Sequence, residues 1–493
     1  MLPKLKTNLE VEPAPEPAPV IDNRSKIAVG YFFLFTMIIA VIMVALMVFL
    51  DPLQFYHRST WYTPVFSKEQ RYQNPGLAKN FDYDTIIIGT SMTENFLPSE
   101  VNKSLGGTTM KLSIEGSTVE EHNKIASVAL KTGKVKKVLW GLDYFSLKNA
   151  DEQDLKTFPD YMYDDNFWND YKYWFNASVY EQFGTSIKDM LTGKKNKDLE
   201  HLNNWSAAFS YTKKRVAKLY YEQRASEVYF GLNEENIEQL QQRFDTYIAP
   251  LIKEYPDVEF NFYYPPYSVM RQVAWYSSNP TRFNNQLEMR KWMFQQFDKY
   301  SNVRLYDFQA EPEWTFNLDL YKDLSHHSGQ VNSWIAEAIG KDDVRFRVTS
   351  DNIDPLNKIL ITQATTAAMD KEGNVSSYDI QINGKSIVFT ERSVQGDGEL
   401  FLSAKEIAST LGATLTWDSS TKTATLANDS TTIKMTAGKN SANVDGNEAA
   451  LENPLVLLAG TAMVPAQFVS EQFGWKTYVE MDGTTHRVLI QSK

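Results

Sequence analysis

The sequence contains no cysteine in its 493 residues, and its six histidines are scattered along the chain. Without thiols there can be no structural disulfide, no thiolate metal site and no cysteine nucleophile. This composition is also compatible with a location outside the cell membrane, where a stray thiol is a liability. So few histidines leave little material for a metal centre, and the sequence therefore predicts a protein with no metal and no cofactor.

The chain also lacks an excess of basic residues. Lys and Arg number 50 against 61 Asp and Glu, which gives a formal net charge of −11. A nucleic-acid-binding protein of this size normally carries a basic excess, so no nucleic-acid partner is expected. The chain also lacks a glycine-rich phosphate loop and a convincing dinucleotide fingerprint. Apolar residues make up 43% of the chain, as in an ordinary folded protein, and the length suggests two or three domains.

One long apolar run stands out. Residues 27–50 carry no charge, and as a helix they would extend about 36 Å, enough to cross a bilayer with some tilt. The run is too long for a signal-peptide core, and no small-residue cleavage site follows it. We therefore expect an uncleaved transmembrane helix; the alternative, a buried core helix, rarely reaches this length. Basic residues before the run weakly favour a cytoplasmic N-terminus, which would make everything after Asp51 extracellular.

The regions around this run differ in composition. Residues 1–26 contain a proline-rich EPAPEPAP stretch and are expected to form a disordered cytoplasmic tail. Residues 51–80 are polar and aromatic and are expected to connect the helix to the next domain. From about residue 81 to 340, strand patterns alternate with helical patterns, which predicts an α/β domain with a mostly parallel sheet, assigned with its connection to residues 51–340. Residues 341–377 lack strong periodicity and are expected to be a linker. In residues 378–493, short strands and glycine turns predict a small β-rich α+β domain. The predicted strands of the α/β domain cover residues 85–89, 110–112, 135–141, 258–264 and 303–308.

The first predicted strand ends at Gly89, and Ser91 follows on the strand-to-helix turn. In an open α/β sheet, sites form at the carboxyl ends of the strands. Backbone N–H groups at the start of the next helix can also stabilise a developing oxyanion. Ser91 is therefore a candidate nucleophile, provided that a base activates it. On this local pattern alone, a simple helix-capping role fits Ser91 equally well.

A candidate base lies at the other end of the domain. Asp323 and His326 are three residues apart, after the last predicted strand and before a helix that Ser328 can cap. At this spacing the carboxylate can hydrogen-bond the imidazole, fix its tautomer and leave the other nitrogen facing a hydroxyl. The loop after the last strand opens on the same edge of the sheet as Ser91. His327 competes for the base role, but the spacing favours His326; a surface turn histidine is the alternative.

Gly89-Thr90-Ser91 soon after a membrane helix, together with Asp323-x-x-His326 before the last helix, resembles the SGNH/GDSL hydrolase superfamily. Within it, the chain most resembles membrane-anchored acyl-transfer proteins that modify bacterial surface polymers, such as the DltD-like proteins and the SGNH-like polysaccharide O-acetylation proteins. The resemblance covers roughly residues 81–340 and implies a flavodoxin-like, three-layer fold. It also implies Ser91 as nucleophile, His326 as general base and Asp323 as its orienting acid.

Other positions follow from the same resemblance. Gly116 stands where the superfamily places its oxyanion glycine, and it is the expected donor. The third block of the superfamily usually reads Gly-x-Asn-Asp, whereas this chain has Gly141-Leu142-Asp143 without the Asn, so an oxyanion donor is missing or replaced. DltD-like proteins depart there as well, so the departure weakens the hydrolase interpretation more than the transferase one. Asp143, Tyr264 and His327 are further candidates for contacting the substrate.

Two aromatic stretches leave alternatives open. Residues 158–183 are dense in Tyr, Trp, Phe and Asp, which suits either a sugar-binding wall or a packed cap subdomain. Residues 263–267 follow a predicted strand on the presumed site edge. These residues either line a groove for the acceptor or take no part in binding it, and the sequence favours neither alternative.

The C-terminal region repeats itself. Leu402–Gly412 and Val464–Gly474 each predict a short helix that feeds a strand. With Ile382-Asn-Gly384 and Met463-Val-Pro465, these residues resemble the copper amine oxidase N-terminal-like domain, which is common in exported proteins of Gram-positive bacteria. His486 is the one histidine of this region, too few ligands for copper. We expect a non-catalytic module that docks on the cell wall or a surface polymer.

Together these features predict a membrane-anchored extracellular serine O-acyltransferase that transfers an acyl group, expected to be acetyl, to a cell-surface polysaccharide or teichoic-acid-like polymer. A multi-pass membrane partner would deliver the acyl group across the bilayer. Two alternatives stay open: a carbohydrate esterase, and a non-catalytic SGNH-like scaffold or assembly protein of the cell envelope. The set of Ser91, Asp323 and His326 favours an enzyme, whereas the missing Asn beside Asp143 favours the scaffold.

Overall fold

The computed structural model describes residues 23–60, 62, 64–148, 157–193, 198–223, 236–370, 372–389, 393–396, 399–458, 460–482 and 485–492. The predicted N-terminal tail lies outside the described residues as far as residue 22. Helix α1 covers Asn23–Leu50, slightly more than the apolar run that predicts it. It is long and apolar enough to span a membrane, and only 6% of its apolar window is buried. Because its side chains face outward, α1 is not a core helix of the described domains.

Helix α1 ends at a tight junction with the rest of the chain. Asp51 has a left-handed backbone conformation, with φ of 42°, and its side chain is fully buried. Its carboxylate accepts hydrogen bonds from the N–H groups of Phe55, Tyr56 and His57 at 2.9, 2.7 and 2.9 Å, and from the Tyr173 hydroxyl at 2.8 Å. One buried carboxylate therefore fixes the turn after α1 and ties it to a distant segment.

The α/β domain is built on a five-stranded parallel sheet of order β2-β1-β3-β4-β5. The strands are β1 (Thr85–Ile88), β2 (Thr109–Lys111), β3 (Lys137–Gly141), β4 (Glu259–Tyr264) and β5 (Val303–Asp307). All five predicted strands are present within two residues of their expected bounds, and the predicted parallel α/β domain is confirmed. This is the strand order of flavodoxin-like doubly wound sheets, in which the carboxyl ends of β1 and β3 open a crevice.

Helices cover both faces of the sheet. Their bounds in this domain are α2 (Gln70–Asn80), α3 (Pro98–Leu105), α4 (Val119–Lys131), α5 (Tyr171–Trp174), α6 (Ala177–Thr192), α7 (Lys213–Gln223), α8 (Ile237–Tyr247), α9 (Ala249–Glu254), α10 (Val269–Ser278), α11 (Pro280–Phe297), α12 (Pro312–Thr315), α13 (Gly329–Gly340) and α14 (Ile353–Thr366). Side chains alternate along each strand. Ile86 and Trp140 therefore pack in a core with α2, α4 and α11, whereas Ile87 and Leu139 pack on the other face with α3, α10 and α13.

The segment 341–377, predicted to be a linker, is largely structured. Helix α14 packs against α10 and α11, and its Leu360 and Ala364 are fully buried. Leu356, Leu360 and Ala364 recur at helical spacing, but the Thr and Gln residues around them dilute the pattern. Strand β7 also begins inside the segment, at Val375. Secondary structure therefore joins the two domains.

The C-terminal domain is β-rich, as predicted. The strands are β6 (Ala368–Met369), β7 (Val375–Ile382), β8 (Lys385–Ile387), β9 (Val394–Gly396), β10 (Glu399–Ser403), β11 (Thr414–Asp418), β12 (Thr423–Ala427), β13 (Thr432–Thr436), β14 (Ser441–Val444), β15 (Asn447–Ala450), β16 (Val456–Leu458), β17 (Thr461–Pro465), β18 (Trp475–Asp482) and β19 (Thr485–Ser492). Helix α15 (Ala404–Thr410) follows β10, and helix α16 (Ala466–Gln472) follows β17. Strands β10 and β17 pair with each other in antiparallel orientation. The two copies of the sequence repeat therefore meet side by side.

Candidate active site

The turn after β1 presents Ser91. Gly89 has φ of 150°, and a Cβ at this position would lie 2.5 Å from Thr93 Cγ2, so the turn requires glycine. Ser91 then opens a short 3-10 helix, Ser91–Thr93. The strand–Gly–x–Ser pattern thus builds a corner at the carboxyl edge of the sheet, on which Ser91 is half-buried.

The structure brings Ser91 and His326 together from opposite ends of the domain. Ser91 Oγ lies 2.9 Å from His326 Nε2, and Nδ1 of the same ring lies 2.9 Å from Asp323 Oδ2. Asp323 Oδ1 accepts hydrogen bonds from the N–H groups of Ser325 and His326 at 2.8 Å. The histidine favoured by the sequence is therefore the one that contacts the serine. We refer to Ser91, His326 and Asp323 as the relay.

The Asp323 carboxylate is electrostatically suited to orient the imidazole. Burial acts to raise its pKa, but hydrogen bonds and charge from His326, with two backbone N–H groups, outweigh burial and hold the pKa of Asp323 well below its usual value. The group therefore stays ionised at neutral pH and accepts a hydrogen bond from the N–H group at Nδ1. In that tautomer, Nε2 can accept the hydroxyl proton of Ser91.

Asp143 lies beneath the Ser91 turn and is shielded from solvent. It is 2% exposed, and its carboxylate accepts hydrogen bonds from the hydroxyls of Thr90, at 2.7 Å, and Tyr267. Burial raises the pKa of Asp143, while these hydrogen bonds oppose that shift. The prediction that Asp143 contacts the substrate is therefore corrected: β3 delivers the carboxylate beneath the Ser91 turn, where it positions Thr90.

Tyr264 and His327 are also buried, so neither is placed where a substrate contact requires. Tyr264 is 2% exposed and packs on the Arg290 guanidinium, 4.4 Å from the ring centre. His327 is 1% exposed, its Nδ1 lies 3.2 Å from the Ser328 carbonyl oxygen, and burial lowers its pKa to about 4. Both side chains turn into the core. Residues 263–267 are all buried, and they pack beneath the site instead of lining a groove.

Two backbone N–H groups are free at this edge. Ile114 N–H donates to the Gly89 carbonyl at 2.9 Å, which aligns the segment leading to Gly116 with the Ser91 turn. Gly116 is exposed and has φ of 64°. Within the described part of the chain, neither the Gly116 nor the Ser91 N–H has a hydrogen-bond acceptor. Gly116 therefore remains the predicted oxyanion donor, and the Ser91 N–H is a second candidate.

The sequence did not reveal Glu94 and Trp205, which reach the relay from one side. The Trp205 ring meets His326 edge-on, with 5.7 Å between ring centres, and its Nε1 donates to Glu94 Oε2 at 2.7 Å. Burial raises the pKa of Glu94 to about 7. Glu94 follows Ser91 by three residues, about one 3-10 turn, so its position was a usable signal. Nothing in the sequence marked Trp205, whose place depends on the fold.

A cleft of about 870 Å³ opens beside Glu94 and Trp205. Its acidic lining residues are Glu69, Glu94, Glu115, Glu181 and Asp189. Lys68 is the one basic residue among the described lining residues. The cleft is therefore acidic, and Trp205 lies between it and the relay.

The aromatic stretch 158–183 divides between two tasks. Tyr161 and Tyr173 are buried against Met47 of α1, as the packing interpretation predicts. Farther along, Glu181 and neighbouring polar residues of α6 line the acidic cleft. The aromatic side chains of this stretch are therefore not the wall of the cleft.

No group of His, Asp and Glu residues suited to hold a metal ion occurs in the part of the chain that the structure describes. In the C-terminal domain, His486 instead packs against Tyr378, with 5.1 Å between ring centres.

Comparison with known proteins assigns a family to one part of the chain. Residues 381–490 match the Copper amine oxidase N-terminal domain, which confirms the family resemblance predicted for this region. No curated protein matches the chain. Among solved structures, the chain is similar to a Streptococcus pneumonia protein described as a platelet activating factor, at 11% identity and a TM-score of 0.30, over 56% of this chain and 91% of that one. Similarity at this level assigns neither a fold nor an activity to this chain.

Proposed function

We propose that this chain is a membrane-anchored extracellular serine O-acyltransferase that transfers an acyl group, expected to be acetyl, to a cell-surface polysaccharide. The observation that carries the proposal is the relay, in which a hydroxyl, an imidazole and a carboxylate from distant parts of the chain meet at hydrogen-bond distances. Such an arrangement turns a weakly nucleophilic hydroxyl into an acyl acceptor at neutral pH. The resemblance of the motifs around Ser91 and His326 to the SGNH/GDSL superfamily supports the same assignment.

In the first half-reaction, Ser91 Oγ attacks the carbonyl carbon of an activated acyl donor. His326 Nε2 takes the hydroxyl proton and passes it to the leaving group as the bond between the carbonyl carbon and that group breaks. An acyl ester on Ser91 remains. The N–H groups of Ser91 and Gly116 would bind the carbonyl oxygen while it carries negative charge, and the ionised Asp323 stabilises the imidazolium.

In the second half-reaction, an acceptor hydroxyl gives its proton to His326 Nε2 and attacks the acyl carbon. The bond to Ser91 Oγ breaks, the proton returns to Ser91, and the acyl group remains as an ester on the polymer. Transfer prevails over hydrolysis only where the bound acceptor excludes water. The acidic cleft, which Trp205 connects to the relay, is the proposed acceptor site.

The charge of the cleft distinguishes among acceptors. Five carboxyl side chains and one lysine line its described surface, and a second lysine, Lys322, lies over Trp205 beside it. Acidic groups remain in excess, so a polyanionic, teichoic-acid-like chain would be disfavoured. Neutral or amino sugars can donate hydrogen bonds to these carboxylates, whereas the Lys322 ammonium, 3.7 Å from the ring centre, already covers one face of Trp205. We therefore favour a neutral or amino-bearing polysaccharide over a teichoic-acid-like polymer.

The remaining parts of the chain fit an enzyme of the cell envelope. Helix α1 is suited to hold the protein in the membrane with its N-terminus in the cytoplasm. An acyl donor made inside the cell would then need a multi-pass membrane partner to reach Ser91. The C-terminal domain offers two paired copies of one helix–strand unit, and we assign it to docking on the cell wall.

The test is the Ser91→Ala variant in a strain that lacks the native chain. The variant should remain in the membrane, lose labelling by a serine-reactive phosphonate and leave the surface polysaccharide without its acyl groups, as measured by mass spectrometry. Ser350→Ala, a change at an exposed loop serine, is the matched control. Normal polymer acylation with Ser91→Ala would refute the proposal, and absence of labelling in the unmodified protein would support a scaffold instead.

A carbohydrate esterase is the second candidate, because the side chains of His326 and Asp323 are 28% and 29% exposed, so water can reach the relay. The two activities differ in their acceptor. An esterase would release free acetate from an acetylated polymer at a rate that added acceptor does not change, whereas a transferase would release it slowly and divert the acyl group to the acceptor.

A further inference from the structure

Helix α1 enters the folded part of the molecule among aromatic side chains. Near its end, Met47 is buried in one hydrophobic cluster with Tyr173, and Trp174 shares a groove on the helix with Val44 and Val48. The earlier turns of the helix are exposed. The short helix α5 therefore lies directly beside the last turns of α1.

Two exposed apolar patches flank this point. The aromatic patch consists of Phe167, Trp168, Tyr171 and Phe175. It is continuous with α1 because the Phe167 ring packs on Trp174, with 5.5 Å between ring centres. The aliphatic patch, at the end of α6, consists of Ile187, Met190 and Leu191. It also reaches α1, because Ile187 and Met190 line a pocket with Leu50.

The composition of the patches indicates what covers them. Trp168 is 85% exposed and Leu191 is 77% exposed, and large apolar side chains clustered on a surface usually mark a contact. Trp and Tyr are enriched where a membrane meets water. Lys172 and Lys188 are exposed within or beside the patches, and their ammonium groups can reach lipid phosphates.

We propose that the aromatic and aliphatic patches insert into the outer leaflet of the bilayer, at the boundary between headgroups and acyl chains, so that the α/β domain rests on the membrane. This inference rests on the proposed membrane anchoring by α1. The expected occupant is phospholipid, because both patches continue the apolar surface of α1 at the end where the helix meets the α/β domain. Lipid that surrounds this end of α1 would therefore also contact the patches.

The absence of cysteine makes a clean test possible with the full chain. Single-cysteine variants Trp168→Cys and Leu191→Cys carry an environment-sensitive fluorophore and are reconstituted in phosphatidylcholine–phosphatidylglycerol vesicles. Nitroxides are placed on the lipid headgroup, high on the acyl chain, or near its end. Phe35→Cys, in the middle of α1, reports on the anchor itself. Val344→Cys, at an 82% exposed residue outside both patches, is the matched surface control.

We expect nitroxides at the headgroup and high on the acyl chain to quench both patch positions at least about twofold more than the Val344 control, and the deep nitroxide to quench Phe35→Cys. If Phe35→Cys is quenched but the patch positions match the control, the patches do not touch lipid and the inference fails while the anchor stands. If Phe35→Cys is not quenched, the proposed anchoring itself fails. A blue-shifted patch fluorophore in native membranes that lipid nitroxides do not quench would assign the patches to a protein partner and overturn the inference.

Discussion

Glu94 lies beside Trp205, close to the relay, and the fold changes the pKa of its carboxyl group. It is 4% exposed, it accepts hydrogen bonds from Trp205 and Gln70, and burial raises its pKa from 4.5 to about 7. A raised carboxyl pKa means that the folded state holds the proton more tightly than the unfolded state. The resulting stabilisation is fully present below pH 4.5 and is lost, by about 3 kcal/mol, as the pH rises to about 7.

Glu94→Gln should therefore flatten the pH dependence of stability between pH 4.5 and 7, because the amide does not ionise. In the unmodified protein, Trp205 fluorescence should change with a midpoint near pH 7, since its Nε1 donates to this carboxyl group. The measurement is the difference in fluorescence and in melting temperature between the two proteins across this range. Glu69→Gln, an exposed residue of the same cleft, is the control. If Glu94→Gln and Glu69→Gln show the same pH midpoint of Trp205 fluorescence, Glu94 is not the titrating group.

At the residue scale, the relay was predictable because two short motifs fix it. Ser91 sits two residues after a glycine that ends a strand, and Asp323 precedes His326 by three residues. Neither signal exists for the contact of Asp143 with Thr90 or of Trp205 with His326, since each depends on how distant segments pack. The sequence could not show how deeply each side chain is buried. Asp143 and His327 are buried in the structure, so they are no longer candidates for contacting a substrate.

Among the elements, α14 is the one whose role differs from expectation. Leu360 is fully buried, whereas its neighbour Ile359 is 41% exposed. Leu360→Ala should cost about 2–5 kcal/mol through the cavity that it leaves, and Ile359→Ala should cost much less. Melting curves of the two variants, followed by phosphonate labelling of Ser91, measure the difference. Equal melting temperatures would mean that this segment is only a connection between domains.

The strands of the parallel sheet were predictable because each is a short apolar run bounded by turn residues. The same logic also limits what the two tyrosines at the end of β4 can do. Successive residues of a strand face opposite sides, so Tyr263 and Tyr264 cannot both turn toward one groove, and here each enters a different core. Helix α14 escaped prediction because Thr and Gln occupy positions beside its apolar stripe.

At the scale of the whole molecule, Asp51 determines how firmly α1 is joined to the domain. Asp51→Ala removes four hydrogen bonds to a buried carboxylate and leaves polar groups without their acceptor. We expect the domain to reorient more freely relative to α1. Pairs of spin labels at Phe35→Cys and Val344→Cys should give a broader distance distribution in this variant. Asp82→Ala, at a 96% exposed side chain, should leave the distribution unchanged, and an equally narrow distribution for Asp51→Ala would contradict the role of the junction.

The same junction also links the orientation of α1 to that of the domain. Because Asp51 ties the turn after Leu50 to Tyr173, the sheet edge that bears Ser91 has little freedom to rotate independently of α1. If α1 lies in a bilayer and the chain transfers acyl groups, as proposed, a membrane protein that binds α1 would orient Ser91 without contacting it.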